Sequence, residues 1–62
     1  MENEKNINEA YENIKSIITD TIKLKDDLEK INFYYKDVEY LKIIINELRK
    51  IETHILYEKL DK

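Results

Sequence analysis

The sequence contains no cysteine, no proline, no glycine and no tryptophan, and each of the first three absences removes a class of explanation. Without cysteine there are no disulfides, no thiolate zinc sites and no cysteine nucleophile, so any fold is held by packing alone. Without glycine or proline, a chain reversal has to be made by asparagine and aspartate, whose short polar side chains close and open helices. Long apolar runs are missing too. The longest is Ile43-Ile44-Ile45, far below the roughly 20 residues that cross a bilayer. Charge of one sign is also lacking: fourteen acidic residues stand against eleven basic ones, for a net charge of −3. Residues 1–31 hold eight acids and five lysines and residues 32–62 hold six charges of each sign, so neither half offers the basic surface that binds nucleic acid. The opening Met1-Glu2-Asn3-Glu4-Lys5-Asn6 is polar and acidic, unlike a secretory signal, and a cytoplasmic location is expected.

Catalytic groups are equally sparse. His54 is the only histidine, which rules out a paired-imidazole or multi-histidine site. A carboxylate-bridged di-iron bundle needs Glu-x-x-His on one helix, and the residue three before His54 is Ile51. Glu58, one turn beyond His54, suits a salt bridge on a helix flank. No glycine-rich phosphate loop and no serine beside a base can be assembled. No enzyme, no cofactor and no metal site are therefore expected.

What the chain does have is helical periodicity. Asn6-Ile7-Asn8-Glu9 reads as a capping box, and from there Ile7, Ala10, Tyr11, Ile14, Ile17, Ile18, Thr21, Ile22, Leu24, Leu28 and Ile31 recur at spacings of three and four. This predicts a first helix over about 7–31, with Asp26 and Lys30 paired on its outer face. Asn32 suits a left-handed closing position, with Phe33 folding back on the last turn. The turn is expected over 32–37, with Asp37 capping a second helix over about 38–60. There Val38, Leu41, Ile44, Ile45, Leu48, Ile51, Ile55 and Leu56 form a second wide stripe, whose best seam runs through positions 41, 44, 48, 51 and 55. Glu39 with Lys42 and Glu47 with Lys50 are expected as exposed pairs, and Lys59 and Lys62 near the carboxyl end favour the helix dipole. Carrying the first helix's heptad forward through the turn would bury Lys42 and expel Leu41 and Leu48, so one continuous helix is disfavoured.

The fold class that follows is all-α, a two-helix antiparallel hairpin. A chain of 62 residues is marginal as a free-standing domain, and stripes this wide exceed what a two-helix seam covers, leaving Ile17, Leu24, Tyr40, Ile45 and Leu56 partly open on the flanks. The hairpin is therefore expected to be completed into a four-helix bundle by dimerisation or by a partner protein. The interface is expected to draw on Ile14, Ile17, Leu24 and Leu28 of the first helix and Leu41, Ile45, Leu48 and Ile55 of the second. Leu48 would be its energetic centre. Glu52 projects into the second stripe, either snorkelling to water where the bundle frays or meeting a basic group across an interface to fix register or partner choice, with Lys25 as its counterpart on helix one but not its direct mate within one chain. Phe33, Tyr34, Tyr35 and Tyr40 cluster at the turn, either as a packed corner or as a hot spot for protein.

The partner expected is protein, self or heterologous, with no nucleic acid and no membrane, and a homo-oligomer leads. The alternative is a small regulator or inhibitor, of the kind phages encode, that docks on a target. One family resemblance adds a further alternative. The run Leu28-Glu29-Lys30-Ile31-Asn32 and Lys36-Asp37-Val38-Glu39, preceded by Asn13-Ile14-Lys15 and Leu24, resembles the very small Dad-type subunits of the fungal DASH kinetochore ring. Over about residues 13–39, the resemblance implies a non-catalytic helical subunit of a microtubule-coupling complex.

Overall fold

A computed structural model describes the backbone of residues 2–60 and the side chains of residues 5–60. The chain forms two helices, α1 over Glu2–Lys30 and α2 over Tyr35–Leu60, packed against each other as a hairpin in a rod of 47 × 14 × 12 Å. Among the described residues there is no strand.

α1 starts earlier than its capping signal. The chain is already helical at Asn6, so the Asn6–Glu9 box does not open the helix. A capping box is a local preference, whereas extending an existing helix adds one hydrogen bond for each residue fixed. No glycine or proline stands in residues 2–6 to oppose it.

The turn is built as its residues suggest. Asn32 takes the left-handed conformation, with φ of 52°. Its N–H donates to the Glu29 carbonyl at 3.1 Å, and the Phe33 N–H donates to the Leu28 carbonyl at 3.0 Å. These two reversed bonds form a Schellman closure and satisfy carbonyls that the helix end leaves open. The next helix follows at once. The Tyr34 carbonyl accepts from the N–H of Asp37 at 3.1 Å and of Val38 at 3.2 Å, which makes Tyr34 the N-cap residue. Asp37 is therefore not the cap: it lies three residues into α2, where the positive end of the helix dipole still favours its charge. Phe33 serves both helices. It is the third residue past Lys30, the end of α1, and the residue before the cap of α2, and it lines one groove with Val38. A residue in that place staples the fourth residue of the following helix, and Val38 is that residue.

This fixes the rotation of α2. With Val38 turned inward, the positions that face α1 are Val38, Leu41, Ile45, Leu48, Glu52, Ile55 and Lys59, all buried or half-buried. The matching set on α1 is Ile7, Tyr11, Ile14, Ile18, Thr21, Lys25 and Leu28. Both sets alternate steps of three and four, the period of a coiled-coil seam. The seam expected through positions 41, 44, 48, 51 and 55 is corrected in this respect, because Ile44 and Ile51 lie outside it and stand 46% and 48% exposed. Ile45, expected on a flank, is instead among the most buried residues at 7%. Leu48 is half-buried, so the centre of the α2 seam lies nearer Ile45 and Val38.

The core is thin. Ile14, Ile18, Val38 and Ile45 are its buried side chains, and none of the described residues is fully enclosed. Thr21 sits in the seam by returning its hydroxyl proton to the Ile17 carbonyl at 2.6 Å, which satisfies the group within its own helix.

Candidate functional site

The rows of the seam define two flanks, and they differ in chemistry. On each helix, the residue just before every second seam position recurs every seven residues. On α1 these are Ala10, Ile17 and Leu24, with Ile31 one step further just past the helix end, and on α2 they are Asp37, Ile44, Ile51 and Glu58. In an antiparallel pair, rows displaced in the same rotational sense meet on the same side. Ala10 and Glu58 do line one groove, which anchors the register. Stepping seven residues in opposite directions from that pair sets Ile17 level with Ile51 and Leu24 level with Ile44, each step about 10.5 Å along the rod. These four aliphatic side chains are 46–48% exposed. Ile31 continues the α1 row and is more exposed still.

The opposite flank mixes charged residues with the half-buried Ile22 and Leu56. Glu29 and Lys42 line one groove there, and Lys15, Ile22 and Arg49 line another with Glu52. Lys42 pairs with Glu39 at 2.9 Å and Lys15 with Glu12 at 3.2 Å. Asp26, expected to pair with Lys30, meets Lys25 instead at 2.9 Å, and Lys25 also reaches Glu29 at 3.0 Å. The hydrogen bonds that Lys25 donates to Asp26 and then to Glu29 hold its pKa above the ordinary 10.5. They outweigh the opposing effect of desolvation, since this ammonium can lean out of the seam. The Glu39 carboxylate raises Lys42 in the same way, with a smaller contribution from Glu29 across the hairpin.

Every ion pair among the described residues lies within one helix. The cross-helix contact that involves charge is at the open end, where the Lys59 ammonium stands 4.4 Å from the centre of the Tyr11 ring. Lys15 approaches the same ring at 4.8 Å. A cation over an aromatic face is attracted by the ring quadrupole, so this contact latches the end that the turn does not hold. Lys62, expected to act with Lys59 on the helix dipole, lies outside the described residues.

The residues expected at an interface therefore fall into two groups. Ile14, Leu28, Leu41, Ile45, Leu48, Glu52 and Ile55 line the seam between the chain's own helices, whereas Ile17 and Leu24 lie on the open flank. The flank's other half is Ile44 and Ile51, which apolar spacing alone places in the seam. The signal that finds it is the seven-residue recurrence just ahead of Val38, Ile45 and Glu52. Glu52 reaches the seam's edge with no ion partner within 4 Å among the described residues, in the groove with Arg49 and Thr53.

At the turn, Tyr34 and Tyr35 are about three-quarters exposed, Tyr40 is 60% exposed and Phe33 is 40% exposed. Phe33 and Tyr34 pack edge to face with centroids 5.0 Å apart. The four aromatics thus split into one bracing residue, Phe33, and three that present rings to solvent. Among the described residues no three acidic, histidine or cysteine groups gather into a metal site, and His54 is exposed. No described helix is long and apolar enough to cross a membrane. Comparison with protein-family models, with curated proteins and with solved structures found no match.

Proposed function

We propose that this chain is a non-enzymatic protein-interaction module, which buries its aliphatic flank against a second helical surface and thereby completes a four-helix bundle. The observation that carries the reading is the alignment of Ile17, Leu24, Ile44 and Ile51, all about half exposed, on one side of the hairpin. Burying an isoleucine or leucine fully is worth about 1.5–3 kcal/mol. The uncovered half of each therefore leaves roughly 1 kcal/mol to be gained by covering it. Summed over the four, the gain of about 4 kcal/mol is a substantial addition to a core this thin. Singly exposed apolar residues are ordinary on protein surfaces, whereas a contiguous aliphatic row on one flank is the mark of an interaction site.

Sedimentation equilibrium combined with thermal melting tests this. The expected result is an assembled helical species whose melting temperature rises with concentration. A well-folded monomer at micromolar concentration, melting cooperatively and independently of concentration, overturns it. The exposed Tyr34 and Tyr35 rings at the turn favour a second reading, in which the hairpin docks end-on to a heterologous target as a regulator or as a subunit of a larger helical complex, such as the Dad-type resemblance implies. That reading expects a weakly helical chain on its own that gains helix when its target is added.

A further inference from the structure

We infer that the surface covering the flank is a second copy of this chain, related by a two-fold axis that crosses the rod, so that α1 lies antiparallel on α1 and the two turns point to opposite ends. The inference rests on the reading just proposed and adds to it both an occupant and an orientation. A two-fold interface must be complementary to itself. The flank meets that condition, since its aliphatic residues form two matched rungs, Ile17 with Ile51 and Leu24 with Ile44, of nearly equal exposure. Its size also fits. With copies overlapping over about 40 Å of a rod 14 Å wide, each offers on the order of 600 Å², at the lower end of the roughly 600–1,000 Å² per partner of a specific stable interface.

Two such axes bring the flanks face to face, and the ends of the rows distinguish them. An axis along the rod lays the α1 row of one copy on the α2 row of the other. Ile17 then meets Ile51 and Leu24 meets Ile44, but Ile31 is set against Asp37 and Ala10 against Glu58. Each of these end contacts presses a carboxylate towards an apolar side chain and strips its water without offering a partner. An axis across the rod lays α1 on α1 and α2 on α2. Ile17 then meets Leu24, Ile44 meets Ile51, and Ile31 meets Ala10, whose small side chain leaves room for it. Only in this arrangement is Ile31, 68% exposed in the single hairpin, covered by an apolar neighbour. The cost is Asp37 facing Glu58 at the two extremities, where water screens like charges. Further out, Asp20 and Glu47 border the flank. They face acidic residues under either axis, Asp20 meeting its own copy across the rod and Glu47 along it, so they do not decide between the two.

The absence of cysteine makes single-site labelling direct. A spin label on Tyr34→Cys, at the turn, reads the arrangement by pulsed dipolar spectroscopy of the full chain. The across-the-rod dimer, whose axis passes midway between the Ile17 and Leu24 levels, sets each turn roughly 20 Å from that axis and is expected to give a label separation of about 40 Å. A separation within about 20 Å, as two turns stacked one helix layer apart would give, overturns the orientation while leaving the interaction module intact. Asp20→Cys supplies an independent measurement. It lies next to its own copy when the axis crosses the rod, so air oxidation should yield a covalent dimer, and on the diagonal when the axis runs along the rod, where no such dimer forms. A folded monomer in sedimentation overturns both this inference and the reading it rests on. A chain that assembles only after a different protein is added overturns the second copy alone.

Discussion

Ile44 and Ile45 are adjacent in sequence and opposite in meaning, and truncating each in turn separates the seam from the flank. Ile45 is 7% exposed and Ile44 is 46% exposed. Buried isoleucine-to-alanine changes cost about 2–5 kcal/mol, the spread reflecting how far the surroundings collapse into the space. No described side chain here is fully enclosed, so neighbours can close in, and Ile45→Ala should sit near the lower end, at about 2–3 kcal/mol. Ile44→Ala in an isolated hairpin leaves no cavity and loses only half a transfer term, about 1 kcal/mol. Once the flank is covered, Ile44 becomes a core residue and its truncation should approach the cost of Ile45→Ala. Circular-dichroism melts of both variants and the parent, at about 5 μM and about 500 μM so that mass action shifts the assembly equilibrium, check this. The Ile45 variant should be destabilised at both concentrations, whereas the Ile44 variant should fall further behind the parent at the higher one. If Ile44→Ala is the worse variant when dilute, the seam runs through positions 44 and 51 and the flank has been misassigned. If its deficit is the same at both concentrations, nothing covers the flank.

Four other outcomes are expected. Asn32→Ala places a β-carbon in the left-handed position that Asn32 holds and should lower stability by about 1 kcal/mol, whereas Asn32→Gly should match or exceed the parent; equal melts for the alanine and glycine variants would remove the Schellman closure from the account. Lys59→Gln removes the cation over Tyr11, worth about 0.5–1 kcal/mol at an exposed site, and should speed amide exchange in the last turn of α2 more than around the turn. Because the pKa of Lys25 is raised above 10.5 in the folded chain by Asp26 and Glu29, the stability it adds is fully present below that pH and is lost as pH rises through the raised value. Denaturant midpoints taken through that range should therefore fall less steeply for Lys25→Gln than for the parent. Leu48→Ala, half-buried in the seam, should cost roughly 2 kcal/mol, while Lys50→Ala, exposed and paired only with Glu47 at 3.3 Å, should stay within about 0.5 kcal/mol; thermal melts that rank them the other way would contradict the rotation assigned to α2.

The parts of the fold legible in the sequence are those set by local physics. The two helices follow from periodicity. The left-handed Asn32 follows from the want of glycine where a helix must stop, and the Glu39–Lys42 and Glu47–Lys50 pairs follow from their spacing of three. What was not legible was set by competition between local and distant terms. Asn6 and Asp37 are good caps in isolation, yet α1 extends past the first to Glu2 and α2 opens on Tyr34, whose ring cannot cap. The rotation of α2 is the clearest case. The run Ile43-Ile44-Ile45-Asn46-Glu47-Leu48 satisfies two seams about equally. The purely apolar one through Ile44 and Ile51 looks better on paper, because the other admits Glu52 and Lys59. The choice goes with Val38 turned inward beside Phe33 at the turn, a placement that periodicity within α2 does not contain.

That choice leaves an uneven distribution of side chains, which bears on function. The seam that holds the hairpin together includes Thr21, Lys25, Glu52 and Lys59, each of them only half-buried, while Ile17, Leu24, Ile44 and Ile51 stand outside it. A chain suited to folding alone would place those aliphatics in the seam and the charges on the flank, since exchanging them would enlarge a core with four buried side chains among the described residues. The polar seam positions are tolerable because Thr21 bonds within its own helix, Lys25 finds Asp26 and Glu29 outside the seam, and Lys59 lies on an aromatic face. Those arrangements satisfy the polar groups but add little apolar burial, so the seam alone leaves the hairpin marginal. Much of the apolar area that the seam forgoes, that of Ile17, Leu24, Ile44 and Ile51, lies on one side, although Ile43 and Tyr57 are exposed elsewhere. The energetics are coherent when the hairpin is half of a larger core, with the polar seam limiting how well each half persists before the two are joined.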